Sequence, residues 1–218
     1  MGLTLLSTAP SSAIHLIYYV QTEGLKIDNV VVVHEDDMQY DVLERYSEKN
    51  DFETHYVDDP NGERCETVLT ELEPEILLLM VSTIIEEQIL KIPETVVNTH
   101  SGILPEYRGV DSRRWAILEG GPVGVSVHLV DAGVDTGPIL KTSELSLRSE
   151  DTVASIAERN YYMNKWQTLT ETLIEFRHGE IVPNPQSPED GNQYFWMHEK
   201  LRNVVDDILE HDSHPDLQ

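Results

Sequence analysis

The sequence predicts an α/β fold: three layers, a mostly parallel twisted sheet, and a long C-terminal helix. Three observations predict it. First, continuously apolar runs recur along the N-terminal half, as in VVVV (30–33) and EILLLMV (75–81). Runs of this kind are strands buried on both faces, as parallel sheets require. Second, segments with helical spacing alternate with those runs. Third, DTVASIAERNYYMNKWQTLTETLIEFRHG (151–179) keeps helical character throughout and closes on Gly179.

The elements follow in order. LTLLS (3–7) is a first strand, and TAPSS is a turn that opens a helix at AIHLIYYVQ. VVVV is a second strand closed by HEDD, and MQYDVLERYSEK (38–49) a helix. ETHYV (53–57) is a weaker strand, NGERCETVLTELE (61–73) a helix, EILLLMV a buried strand and EEQILKI a short helix. TVVNT (95–99) is the next strand. Beyond Gly109, VDSRRWAILEG reads as a helix ended by glycine. GVSVHLVD (124–131) and PILKTSELSL (138–147) read as two strands neighbouring each other across AGVDTG. Asp151 or Thr152 caps the long helix. IVPNPQSPEDGNQYFWMHEK is loop-like, LRNVVDDILEH is a last amphipathic helix, and DSHPDLQ is a frayed end.

The chain has 218 residues and is 39% hydrophobic, enough for one sizeable core with a tail. Forty acidic residues against fifteen Lys and Arg give a net charge of −25. That charge excludes nucleic acid and an anionic membrane surface as partners, because both need a positive field. It leaves room for a small anionic substrate held by a few cations. The acidity is spread along the chain and suits a salt-screened environment, as in a halophile; at low salt its self-repulsion works against compactness. The one cysteine, Cys65, excludes an internal disulfide and fits a reducing, cytoplasmic setting. No apolar run is long enough to span a bilayer, and MGLTLLSTAPSS has no basic n-region.

Ligands of open parallel sheets sit beyond the carboxyl ends of strands. VVNTHSGILPEYRG (96–109) places Asn98 and His100 at such an end. An imidazole titrates near neutral pH and carries protons; an amide can donate to an oxygen that gains charge. A carboxylate to orient the imidazole is available in DAGVDTG (131–137), as Asp131 or Asp135. On the residues alone, His100 as a turn former and both aspartates as loop residues fit as well.

NTHSGILPEYRG followed by GVSVHLVDAGVDTGPIL resembles the formyltransferase family that uses 10-formyltetrahydrofolate, whose fold is Rossmann-like. Asn98, Thr99, His100, Leu104, Pro105 and Gly109 fit its first motif, and His128, Asp135, Thr136, Gly137 and Pro138 its second. The resemblance is strongest over residues 75–147. It implies a catalytic domain over 1–180, with 181–218 an extension packed on the core or trailing from it. It implies a catalytic triad of Asn98, His100 and Asp135, with protonated His100 helping to hold an oxyanion. It places 10-formyltetrahydrofolate, the one co-substrate, against Val81, Ser82, Thr83, Ile84, Ile85, Leu104, Asp131 and Val134. No metal is expected, and His128 is read as a structural histidine. The partner is a small-molecule amine, and a homodimer is open.

The acceptor is less defined. Family members that formylate glycinamide ribonucleotide carry a glycine-rich loop after the first strand; this chain has STAPSS there, with Ser11 and Ser12 as phosphate-binding candidates. Arg108 and Arg113 are candidate contacts to an anionic acceptor, and Arg114 stands beside them. Members acting on sugar-nucleotide amines hold them with aromatic groups or strands near the C-terminus, where this chain has Tyr194, Phe195 and Trp196. A tRNA-acting member carries a further C-terminal barrel, and a hydrolase an N-terminal regulatory domain. A non-catalytic folate-binding relative is the remaining alternative.

Overall fold

A computed structural model describes residues 2–33, 40–211 and 213–216. The HEDD turn, with Met38 and Gln39 of the expected second helix, lies outside the described residues.

Residues 1–98 form one compact unit and 99–218 a second. The first is a run of βα repeats. Strands β1 (Leu3–Ser7), β2 (Asn29–Val33), β3 (Glu53–Val57) and β4 (Ile76–Met80) alternate with helices α1 (Pro10–Thr22), α2 (Tyr40–Asn50), α3 (Glu63–Leu72) and α4 (Glu87–Leu90). β5 (Thr95–His100) follows, with its last two residues in the second unit. β1 pairs in parallel with both β2 and β4, β2 with β3, and β4 with β5. All of β1 is buried, whereas β3 is largely half-exposed. The fully apolar strands are therefore the inner ones, and the weaker ETHYV pattern marks an edge. The strand order of the seven-stranded sheet is β3-β2-β1-β4-β5-β7-β8, where β7 is Gly124–Leu129 and β8 Ile139–Glu144. β7 and β8 pair antiparallel, as the expected neighbours across AGVDTG.

The second unit departs from expectation in three places. The long helix is not uniform: α6 (Val153–Arg159) passes through a π-helical segment, Asn160–Lys165, into α7 (Trp166–Arg177). Its cap is Thr152, in a capping box with Ser155. The loop-like stretch after residue 180 holds a strand, β9 (Asn192–Tyr194), which pairs in parallel with β6 (Tyr107–Gly109) as a separate two-stranded sheet. The end is not wholly frayed, since His214 is 3% exposed and Ser213 N donates to Ile208 O.

α5 (Ser112–Glu119) and α8 (Glu199–Glu210) share a core of Tyr107, Ala116, Ile117, Val123, Leu147, Ile156, Met197, Val205 and Leu209. Burying side chains such as Met197 and Leu209 stabilises the unit by about 1.5–3 kcal/mol each as an upper value. Asp111 fixes the same junction. One of its oxygens accepts from Arg114; the other accepts from Met197 N and from Arg202. Tyr194 stacks on Tyr107 and packs against Trp115, so of the aromatic run it is this ring that anchors the tail. Phe195 and Trp196 are 69% and 74% exposed.

Candidate active site

His100 ends β5 and is buried. Two ring contacts define it. Nε2 lies 2.7 Å from the Tyr107 carbonyl, and Nδ1 3.2 Å from Asp135 Oδ2. A carbonyl only accepts, so Nε2 carries a proton and donates it. Gly102 makes this bond possible: a Cβ there would stand 2.8 Å from Nε2 and 2.7 Å from the Tyr107 oxygen. Ser126 of β7 ties the same loop, donating to Gly102 O and accepting from Leu104 N. Ser112 donates to Ser101 O.

Asp135 sits on the loop between β7 and β8 with φ +53, a left-handed conformation that aspartate tolerates better than most residues. Its Oδ2 accepts from Gly109 N at 2.9 Å and faces His100; Oδ1 lies 3.4 Å from His128 Nε2. The outer nitrogen of His128 meets the Leu129 carbonyl at 2.8 Å. Two imidazoles thus flank one carboxylate, each with its other nitrogen on a backbone carbonyl. Gln186, from the tail, donates to the carbonyls of Asp135 and Gly137 and holds the loop. Asp131 braces it from within, accepting from Gly133 N and Thr136 Oγ1.

The electrostatics separate the pair. Burial opposes ionisation of Asp135, but His128, His100 and the Gly109 amide outweigh it and hold the carboxyl down, at about 2. Burial lowers the His100 pKa, against the pull of Asp135 and the Tyr107 carbonyl. His100 thus faces an acceptor at each nitrogen, the Tyr107 carbonyl at Nε2 and the Asp135 carboxylate at Nδ1.

The structure brings His100 and Asp135 together. Asn98 stands two residues earlier on β5 and is half-buried. Val81 to Ile85 follow β4: Ser82 and Thr83 are exposed, Ile84 is 70% exposed and Ile85 is buried. Asn61 braces this segment through Ile84 O and Glu86 N. Leu104 is buried, Val134 half-buried and Asp131 exposed. Ser11 and Ser12 lie in the first turn of α1, with Pro10 at its start and no side-chain cap. Arg108 is 4% exposed and donates to Gly191 O, so it secures the tail. Arg113 is half-buried in α5. Among the described residues no group of three or more His, Cys, Asp or Glu is arranged to hold a metal ion, and no helix is long and apolar enough to cross a membrane. The sequence reading missed His128 as an Asp135 contact, the Tyr107 carbonyl, Gln186 and Ser126. The second motif's histidine was the one available signal.

Solved structures share this architecture. Glycinamide ribonucleotide transformylase 1 from Symbiobacterium toebii matches with a TM-score of 0.68 at 20% identity, over 84% of this chain and 90% of that one. A sugar N-formyltransferase from a Shewanella species matches at 0.68 and 18% identity, over 96% and 87%. By sequence, the methionyl-tRNA formyltransferase of Thermodesulfovibrio yellowstonii is 35% identical over 124 residues, 56% of this chain and 40% of that protein. The chain spans about two-fifths of the length of such curated relatives in these matches. The family model described as formyl transferase matches residues 3–173, and the chain belongs to the formyl transferase family.

Proposed function

We propose that this protein moves a formyl group from 10-formyltetrahydrofolate to a primary amine of a small molecule. The observation that carries the reading is the buried His100–Asp135 pair, at 3.2 Å, on the two ordered motifs of a formyl transferase chain. The segment 81–85 suits a flat heterocycle: an exposed apolar Ile84 stands beside the exposed residues Ser82 and Thr83. Leu104, Asp131 and Val134 are the further folate contacts in this reading. Residues 1–180 form the catalytic domain, which the family match over 3–173 supports.

The neutral amine attacks the formyl carbon and the carbonyl oxygen gains negative charge. Asn98 donates its amide N–H to that oxygen. The attacking nitrogen, now cationic, gives its proton to His100 at Nδ1. Asp135, ionised at rest, then faces an imidazolium and stabilises it. The oxyanion collapses, the bond between carbon and the folate nitrogen breaks, and His100 returns the proton to that nitrogen. The charge of −25 favours a small acceptor over a tRNA end.

Incubating the purified chain with 10-formyltetrahydrofolate and a panel of primary amines, at low and high salt, tests this. Formylated amine and tetrahydrofolate should form in equal amounts, and His100→Ala should abolish turnover with the fold retained. Failure to bind folate at either salt concentration would defeat the reading.

A further inference from the structure

The segment from Asn184 to Tyr194 lies beyond the family match, which ends at residue 173, yet it is bonded to both loops of the candidate site. At its start Asn184 and Ile139 exchange backbone hydrogen bonds, each of 2.8 Å, at the head of β8. Two residues on, Gln186 Nε2 donates to the carbonyls of Asp135, at 3.1 Å, and of Gly137. A short turn of helix, Pro188–Asp190, then redirects the chain, closed by Ser187 N donating to Asp190 Oδ2 at 2.7 Å. Gly191 O accepts from Arg108 Nη2, and a Cβ on Gly191 would strike the Pro105 carbonyl. β9 finally pairs with β6, the strand whose Tyr107 carbonyl meets His100 Nε2 and whose Gly109 amide donates to Asp135 Oδ2. The segment thus runs from the Asp135 loop to the loop that follows His100, and is tied to each.

The Gln186 amide has two N–H donors, and two carbonyls of one turn receive them. Its Oε1 is buried and has no hydrogen-bond partner among the described residues. An unpaired buried oxygen lowers stability, so what an amide contributes here is its donors. Those donors hold a strained turn. Asp135 has φ +53, and Gly137 packs so closely that a Cβ there would strike the Leu129 carbonyl. A backbone of that kind keeps its shape only where its surroundings fix it. The shape matters to the site, because it sets the 3.2 Å between Asp135 Oδ2 and His100 Nδ1. Small displacements of a reacting constellation are costly in rate.

We propose that residues 184–194 are a strap that sets Asp135 against His100 for formyl transfer, with Gln186 as its positioning residue. This rests on the formyl-transfer reading and adds a part from outside the matched span to its machinery. Gln186 touches neither substrate nor His100 in this role; it acts through the backbone of Asp135. The β6–β9 pairing fixes the far end of the strap, so the amide is delivered to the turn from a second anchored point.

Gln186→Met and Gln186→Leu, each in the full chain, remove the donors and keep a side chain of similar size. Either should lower kcat by about tenfold to a hundredfold, with KM for folate and amine changed by no more than about twofold. Asp135 pulls the His100 pKa up against burial, so a displaced carboxylate lets it fall. The His100 titration, followed by NMR on histidine-labelled protein without substrates, should therefore move to lower pH in both variants. Trp115→Phe is the control for tail anchoring alone. It removes the 2.9 Å bond from Trp115 Nε1 to Phe195 O, and should lower the urea midpoint while leaving kcat and the His100 titration as in the wild type. A folded Gln186 variant with wild-type kcat overturns the proposal, and so does a loss of kcat with the His100 titration unmoved. An equal loss of kcat in Trp115→Phe assigns the effect to tail anchoring and overturns the role of Gln186. A wild type that yields no formylated amine defeats the formyl-transfer reading, while the titration still decides whether Gln186 sets the Asp135–His100 pair.

Discussion

His128 Nε2 lies 3.4 Å from Asp135 Oδ1, on the opposite oxygen from the one facing His100. The carboxylate is thus held from both sides and from the Gly109 amide. A half-protonated aspartate in this buried place would be a poor partner for an imidazolium, and His128 helps keep it ionised. His128→Leu should lower kcat for formyl transfer by about tenfold to a hundredfold, the value of one hydrogen bond to a charged group. KM for the amine should change little, because His128 touches the aspartate and not the acceptor. Steady-state kinetics on the folded variant checks this. An unchanged kcat would make His128 purely a packing residue.

The lowered pKa of His100 sets the pH–rate profile. Burial holds its pKa below the usual 6.5, and the groups acting on it are Asp135, His128, Lys165 and the Tyr107 carbonyl. A base must be unprotonated to act, so kcat/KM should rise with pH through a value below 6.5 and then level off. A resting imidazolium predicts the reverse, with activity lost above neutrality. The profile should be measured with an acceptor whose amine does not titrate in that window.

The sheet was legible because its strands are continuous apolar runs whose only stable place is the middle of a parallel sheet. The His100–Asp135 pair was legible because two motifs occur in order. The β6–β9 pairing was not, because three-residue strands carry no periodicity, and the tail sequence NQY has no apolar face. Gln186 was missed for a related reason: it acts through its amide on backbone carbonyls, and nothing local marks a glutamine for that. The charge state of His100 depends on how deeply the fold buries it, which the order of residues does not express.

Asp135 should also be visible in acid stability. Its folded pKa is depressed to about 2 from an ordinary 3.8. A depressed carboxyl contributes stability that is full above its unfolded value and is lost as pH falls through the folded one. The loss therefore spans about pH 4 to 2 and amounts to about 2 kcal/mol. His100, also depressed, adds destabilisation at higher pH, below its usual 6.5. Urea midpoints measured against pH should fall less steeply below pH 4 in Asp135→Asn than in the wild type. Parallel curves would show that the carboxylate is not held as described.

Gly109 joins the site to the tail, and a pair of substitutions separates its two roles. Its φ is +88, its amide donates to Asp135, and a Cβ added there would stand 2.3 Å from the Tyr194 oxygen. Gly24 has a similar φ of +81, but a Cβ there meets nothing within 4 Å. Gly24→Ala thus measures left-handed backbone strain alone, about 1–2 kcal/mol. Gly109→Ala adds a backbone clash across the β6–β9 pair and should cost about 2 kcal/mol or more beyond that. It should also lower formyl transfer, since relieving the clash moves the amide that holds Asp135; Gly24→Ala should leave transfer unchanged. Urea unfolding of both variants beside the wild type gives the comparison. Equal losses would mean that the tail strand yields without strain and that its pairing with β6 contributes little to the site.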